Sequence, residues 1–430
     1  MVIRQEKFLK LLGFLPYSSQ SWPLWKQLPR LFAAYLLVGG LAITLFVAGK
    51  IFNNTLQQTN NENIPIIVHL LEHLDYCFYP IRAFSIMLAF IIQNRRSPWC
   101  QLSSKMQRLF SQLFTEKEGQ ESLPRAIIRK VQTFCLLFTA ITFALHLSWC
   151  CLEWSKYEGL LPIYTIHNNS GLSSCSYNYY NICLTSAEMM LLWVPAVDGS
   201  FVVSQQVLAL PVITSIFLLY VLHHLQTRIE GETVMFMVGG CALQWNQLYR
   251  QVKRWTWIYT ETFGLLRQFN AFFGWILFFS VGFDVLTALG IGTIIITSEE
   301  TSPYFVLYNV FNAGLFLSYA TLLFLPFVLL HEKSKKVDEA LTQLLWKVKG
   351  HSSLDIQDLP MENECSFRYD PRRYAVNTLE GLTLLVQGNV FLVQAGGLCS
   401  FTRSFLVTII TTVLTVLLLA RELLSRTRGP

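Results

Sequence analysis

The chain has 430 residues, of which 53% are hydrophobic and only 14% charged, and its mean hydropathy is +0.41. That balance excludes an ordinary soluble protein and points to an all-α, polytopic membrane protein. The formal net charge of +6 therefore bears on topology, because membrane chains retain their basic residues on the cytoplasmic side. It gives no reason to expect a nucleic-acid partner.

The first apolar run follows a leader that contains Arg4, Lys7, Lys10, Lys26 and Arg30. It starts too late for a secretory signal and has no small-residue cleavage site, so it is expected to be an uncleaved first helix. Runs of spanning length lie at 31 to 51, 66 to 92, 131 to 152, 201 to 222, 271 to 297, 304 to 330 and 390 to 420, seven in all. The segments between them alternate in Lys and Arg. The leader and the segments 94 to 130, 223 to 262 and 331 to 389 are basic, whereas 52 to 65, 153 to 200 and 298 to 303 contain a single basic residue, Lys156. This places the N-terminus in the cytoplasm and, with an odd number of spans, the C-terminus outside. The sequons at Asn53 and Asn168 both fall in outside loops, as expected of glycosylation sites.

The cytoplasmic segments have helical patterning. Residues 226 to 270 contain no proline and place Leu248, Val252, Trp255 and Ile258 among charges, which predicts a helix running continuously from the cytoplasm into the fifth span. Leu330 to Val348 is amphipathic as well, and the polar, acidic stretch from Gly350 to Pro371 reads as a loop. The implied units are a six-helix bundle over 1–330, a cytoplasmic anchor over 331–389, and a seventh helix with a short tail over 390–430.

Ionisable and aromatic residues gather in the outer halves of the spans. The second span carries His69, Glu72, His73, Asp75, Tyr76 and Arg82; Trp149 lies in the third, Trp193 leads into the fourth, Asp284 is in the fifth, and Tyr308 and Asn312 are in the sixth. Charges inside a bilayer are costly unless paired or hydrated, so such residues either line a water-filled cavity or pair with one another. A cavity of this composition suits a small organic ligand. Tyr76, Trp149, Trp193, Asp284, Tyr308 and Asn312 are the candidate ligand contacts. His69-Leu70-Leu71-Glu72-His73 also matches the inverted zinc-protease pattern. No further ligand is announced and the edge of a span suits that chemistry poorly, so neither a metal site, a cofactor nor enzymatic activity is expected. Ten cysteines show no Cys-x-x-Cys spacing. Cys175 and Cys183 sit in an outside loop with Cys150 and Cys151 at its entrance, and a disulfide among the four has several possible connectivities.

The stretch from Gly388 to Leu424 carries the most specific pattern. Ser404, Thr408, Thr411, Thr415 and Glu422 are spaced by four, three, four and seven, which forms one narrow polar stripe on an α-helix. Such hydroxyls either bond back to carbonyls one turn earlier or line a path for water and ions. Ala395-Gly396-Gly397-Leu398-Cys399, Arg403-Ser404-Phe405-Leu406, and Thr415-Val416 followed after five residues by Glu422-Leu423 resemble the last helix of insect gustatory receptors. In that family the final group reads Thr-Tyr, five mostly apolar residues, then Gln-Phe. Here Val416, Glu422 and Leu423 stand where Tyr, Gln and Phe are usual.

The resemblance implies a seven-helix, ligand-gated, non-selective cation channel in the plasma membrane, related to insect odorant receptors and opened by a small-molecule tastant. It implies a homotetramer, or a heteromer with other receptors of the family, embedded in membrane lipid and held together by cytoplasmic helix extensions. Thr408, Thr411, Thr415, Glu422 and Leu423 would line the pore, with Glu422 and Leu423 at the constriction. Sugar receptors of the family carry an acid just after the Thr-Tyr pair, and Leu417 occupies that place, which favours another ligand class. The competing readings are a G-protein-coupled receptor and a small-molecule transporter. The inside N-terminus and the absence of Asp-Arg-Tyr and Asn-Pro-x-x-Tyr signals oppose the first, and the absence of an evident internal repeat opposes the second.

Overall fold

Long helices follow from long stretches with a continuous apolar face and few breakers. In the computed structural model the described residues are 32–42, 66–96, 98–114, 177–179, 182–184, 199–235, 242–297, 303–354 and 371–427, with isolated positions at 9, 45, 49, 129, 132, 133, 136, 137, 140 and 144. The helices are α1 (Phe32–Ala42), α2 (Ile66–Gln93), α3 (Pro98–Phe114), α4 (Gly199–Met235), α5 (Ala242–Thr297), α6 (Pro303–Leu354), α7 (Pro371–Gly388) and α8 (Arg403–Thr427). Two short hairpins accompany them, β1 (Tyr177–Tyr179) with β2 (Ile182–Leu184), and β3 (Gln394–Ala395) with β4 (Cys399–Ser400). Trp149, Trp193, Asn53, Asn168, Cys150, Cys151 and Cys175 lie outside the described residues, while Cys183 lies on β2.

Among the described residues, two helices are long and apolar enough to cross a membrane, Gly199–Met235 and Trp245–Thr293. Shorter apolar helices are Phe32–Ala42, Ile81–Gln93 and Arg403–Leu419. α5 is 56 residues long and α6 is 52, about 84 and 78 Å at 1.5 Å per residue. Both therefore reach well beyond the thickness of a bilayer core. α6 runs through position 330 without a break and continues to Leu354, past the expected loop start at Gly350.

Two sequence expectations are corrected here. The expected continuous helix over 226 to 270 is divided between α4, which ends at Met235, and α5, which starts at Ala242. Residues 236–241 between them, with Gly239-Gly240 in their sequence, lie outside the described residues. The expected seventh span over 390 to 420 is also wrong at its start, because α8 begins only at Arg403 and runs to Thr427. Gly396 and Gly397 take φ of 60° and 73°, left-handed geometry that breaks a helix and that only glycine adopts cheaply.

The described helices pack chiefly on α5, which touches α2, α4, α6, α7 and α8, while α4 packs along α6. α1 meets α4 closely: Ser200 Oγ donates to the Leu36 carbonyl at 2.9 Å, and a Cβ on Gly199 would lie 2.9 Å from Leu36 Cδ2. The core is aromatic. Trp99 of α3 meets Phe273 of α5 at 5.9 Å between ring centroids, Phe273 meets Phe269 at 5.0 Å, and Phe269 meets Phe327 of α6 at 6.1 Å. Phe327 then meets Phe401 at 5.0 Å, and Phe401 meets Phe405 of α8 at 5.7 Å. Edge-on and tilted ring contacts add about 0.5–1.5 kcal/mol each beyond area burial. A chain of them thus ties α3, α5 and α6 to the base of the last helix.

Tyr259 of α5 is fully buried in this core, and its hydroxyl donates to the Asn389 carbonyl at 2.5 Å. Burial pushes its phenol above the ordinary value of 10.0, the hydrogen bond with Ser334 opposing and the Asp338 charge adding. Below pH 10.0 the phenol is neutral in folded and unfolded chains alike. Above it the unfolded chain ionises first, so stability falls as pH rises toward the raised value. Tyr259→Phe is expected to cost about 1 kcal/mol at neutral pH and to flatten the alkaline decline of the melting temperature in detergent. An unchanged alkaline decline would contradict this assignment.

Candidate functional site

The site is built from the bottom of α8 upward. Residues 389–402 connect α7 to α8 without helical geometry and send Phe391, Val393, Ala395 and Phe401, all fully buried, into the apolar core. Backbone groups in such a place need partners. Asn270 Nδ2 donates to the Leu392 carbonyl at 2.9 Å while its Oδ1 accepts the Gln394 N–H at 3.1 Å. The Gly274 carbonyl accepts the Gly396 N–H at 2.8 Å. Ser334 Oγ accepts the Phe391 N–H, and His331 Nδ1 donates to the Phe391 carbonyl, both at 3.3 Å. The Phe401 N–H donates to the Val393 carbonyl at 3.0 Å and closes the β3–β4 hairpin. Close approach requires small residues here: a Cβ on Gly274 would stand 3.3 Å from the Gly396 nitrogen.

Thr402 caps α8, its Oγ1 accepting the Phe405 N–H at 3.2 Å. From that start Phe405, Leu406, Ile409, Val413, Val416 and Leu417 are half-buried, and Phe405, Leu406 and Ile409 pack on the core. At about 100° per residue these positions centre on one face, and Ser404, Thr408, Thr411, Thr415 and Glu422 centre about 140° away. All five of those polar residues are exposed. Between the two faces Val407, Ile410, Leu414 and Leu418 form an apolar ridge, exposed by 54–64%. The chain thus turns the hydroxyl stripe away from its own bundle and flanks it with uncovered apolar surface. Within the stripe Thr408 donates to the Ser404 carbonyl at 2.9 Å and Thr415 to the Thr411 carbonyl at 2.8 Å. The back-bonding alternative is therefore realised, and it leaves the hydroxyl oxygens able to accept from outside. Leu423 is on α8, and its side chain is outside the described residues.

The candidate ligand contacts are distributed differently. Tyr76 lies on α2 and Tyr308 and Asn312 on α6, with side chains outside the described residues; the same holds for His69, Glu72 and His73 on α2. Asp284 is buried and paired. Its Oδ1 lies 2.7 Å from Arg82 Nε, and its Oδ2 lies 3.3 Å from Arg82 Nη2 and accepts from Ser280 Oγ at 3.2 Å. Arg82 Nη2 also donates to Ser280 Oγ at 3.0 Å. For Asp284 the pairing alternative is the one realised, and the pair joins α2 to α5 beside the Phe78–Phe283 ring contact. Sequence reasoning passed over Asn270, Ser334, His331 and Glu332, because each acts on a segment distant in sequence. The Gly396-Gly397 pair was the available signal, since two glycines in an apolar run mark a break.

No family model and no curated protein sequence matches the chain. Among solved structures it is similar to the insect olfactory receptor OR5 from Machilis hrabei in complex with eugenol, at 13% identity and a TM-score of 0.62, covering 97% of each chain. A second structure of OR5 from Machilis hrabei gives 14% identity and a TM-score of 0.54, covering 97% of this chain and 96% of that one. The chain has the fold of an insect olfactory receptor.

α8 also touches α5 farther up, where a Cβ on Gly292 would stand 2.6 Å from both Leu417 methyl carbons. Gly292→Val is expected to lower the melting temperature of the detergent-solubilised protein, since overpacking costs about 1–3 kcal/mol. Adding Leu417→Ala should restore part of the loss. Full stability of Gly292→Val alone would mean that the two helices are not in close contact.

Proposed function

We propose that the chain is one subunit of a ligand-gated, non-selective cation channel of the gustatory-receptor type, a homotetramer in the plasma membrane. The observation that carries this reading is the hydroxyl stripe of α8, exposed on the face opposite the subunit's own packing surface and ending at Glu422. Around a symmetry axis, copies of such a helix enclose a hydroxyl-lined path with a ring of acids, an arrangement that conducts cations. The exposed apolar ridge then meets either the neighbouring subunit or lipid. The likeness to an olfactory receptor structure that holds a small aromatic molecule, eugenol, supports a small organic ligand for this chain as well. Neither a G-protein-coupled receptor nor a transporter gains support from the fold. The reading includes no catalysis and no cofactor.

In this reading seven spans leave the N-terminus inside and the C-terminus outside. Ligand bound among Tyr76, Trp149, Trp193, Tyr308 and Asn312 favours a bundle arrangement in which the α8 helices separate and the Leu423 constriction opens. Gating of this kind requires that the ligand bind the open arrangement more tightly than the closed one. Near the mouth, Glu422 concentrates cations. Glu422→Gln is expected to lower divalent permeability or block by several-fold with gating unchanged, measured as reversal potentials in mixed-ion solutions. Unaltered permeation would remove Glu422 from the path. Epitope tags at the two ends test the orientation: the C-terminal tag should stain on intact cells and the N-terminal tag only after permeabilisation, and the reverse pattern would overturn the pore assignment.

A further inference from the structure

The first turn of α8 carries a charge of the wrong sign. Helix N-termini bear partial positive charge, yet Arg403 is the first residue after the cap. Its guanidinium reaches Glu332 of α6: Nη2 donates to Oε2 at 2.9 Å, and Nε pairs with Oε1. The Glu332 side chain is 25% exposed and that of Arg403 79%, so the carboxylate is held against the bundle while the guanidinium comes to it. One carboxylate thereby offsets both the cation and the helix terminus. The pairing is two-pronged, which fixes orientation as well as distance.

The neighbouring grips act on a different object. His331, Ser334, Asn270 and Gly274 hold the backbone of residues 391–396. Those bonds seat the linker and leave the direction of α8 to the contacts that α8 itself makes. Glu332 reaches α8 directly, and from a helix that continues unbroken from Pro303 to Leu354. Pro326 lies inside α6 between Tyr308 and Asn312 on one side and Glu332 on the other, a point where the helix can bend, and a shift or rotation of the part beyond Pro326 is delivered at Glu332 as a displacement of the α8 base. Packed helices move as discrete units and do not deform continuously.

Resting on the channel reading above, we propose that Glu332 is a positioning residue for the last helix: its ion pair with Arg403 fastens the base of α8 to α6, so that the position of α6 sets how far α8 turns its hydroxyl stripe toward the path.

The test is a charge-reversal cycle on the full-length chain in cells, read on a thiol introduced by Thr411→Cys, with the same variants lacking that substitution as background. The probe is a charged, membrane-impermeant maleimide, and whole-cell cation current is recorded in parallel. Glu332→Arg and Arg403→Glu should each change the labelling rate at least threefold, and the combined variant should return it to within about twofold of the parent, as coupled partners do in a double-mutant cycle. If a reversal variant fails to reach the surface, Glu332→Gln, which keeps side-chain size, and Arg403→Gln, which removes the charge and the fork, should shift labelling in the same direction. Unchanged labelling in the single variants, or additive changes in the combined one, would overturn the proposal. A coupled labelling cycle without current from any variant would sink the channel reading and leave the positioning role standing. Current that flows with labelling indifferent to both positions would do the opposite.

Discussion

The structure depends on one constraint: a stretch of non-helical backbone, residues 389–402, inserts Phe391, Val393, Ala395 and Phe401 into an apolar core, and the backbone groups carried in with them need partners there. An unpaired buried amide or carbonyl costs about 1–3 kcal/mol, so a linker without partners would be pulled out toward water or into a helix. Asn270, Gly274, Ser334, His331 and Tyr259 supply the partners from α5 and α6. What these bonds achieve is positional. They make the end of α7, the hairpin and the start of α8 a part of the bundle, so that α8 leaves from a fixed base.

From that base the amphipathic character of α8 takes over. Its packed face is narrow, and the remaining surface divides into a hydroxyl stripe and an apolar ridge. A lone helix with such a surface is incompletely covered by its own chain, and in the proposed channel the complementary surfaces are other copies, lipid and water. Glycines set the spacing at two of the places where α5 meets this unit, Gly274 against Gly396 and Gly292 against Leu417. Larger residues there would hold α8 away from the bundle, and the stripe would lose its fixed bearing.

Much of the helix inventory was legible in the sequence. The expected spans at 66 to 92 and 201 to 222 fall within α2 and α4, and those at 271 to 297 and 304 to 330 are contained in α5 and α6. The steps of four, three, four and seven also placed Ser404, Thr408, Thr411, Thr415 and Glu422 together, and all are exposed on α8. The start of α8 was not legible from hydropathy, because a buried apolar linker and an apolar span have the same composition. Val390 to Phe401 look like membrane helix until Gly396 and Gly397 are given their positive φ. Long-range side-chain work was hidden for a different reason. Asn270 and Leu392 are 122 residues apart and Glu332 and Arg403 are 71 apart, and no periodicity links them. Asp284 illustrates the limit of residue type: a buried acid in an apolar helix fits a ligand site and an ion pair equally, until Arg82 is found beside it.

The central claim is that the hydroxyl face of α8, and not its packed face, borders the path of the ions. The direct measurement is current block by a charged thiol reagent after single cysteine substitution along one stretch of α8, in a background lacking reactive native thiols. The account predicts block at Ser404, Thr408, Thr411 and Thr415, and none at Phe405, Ile409 and Val413. Block that follows the packed face, or that is equal at all seven positions, would contradict it.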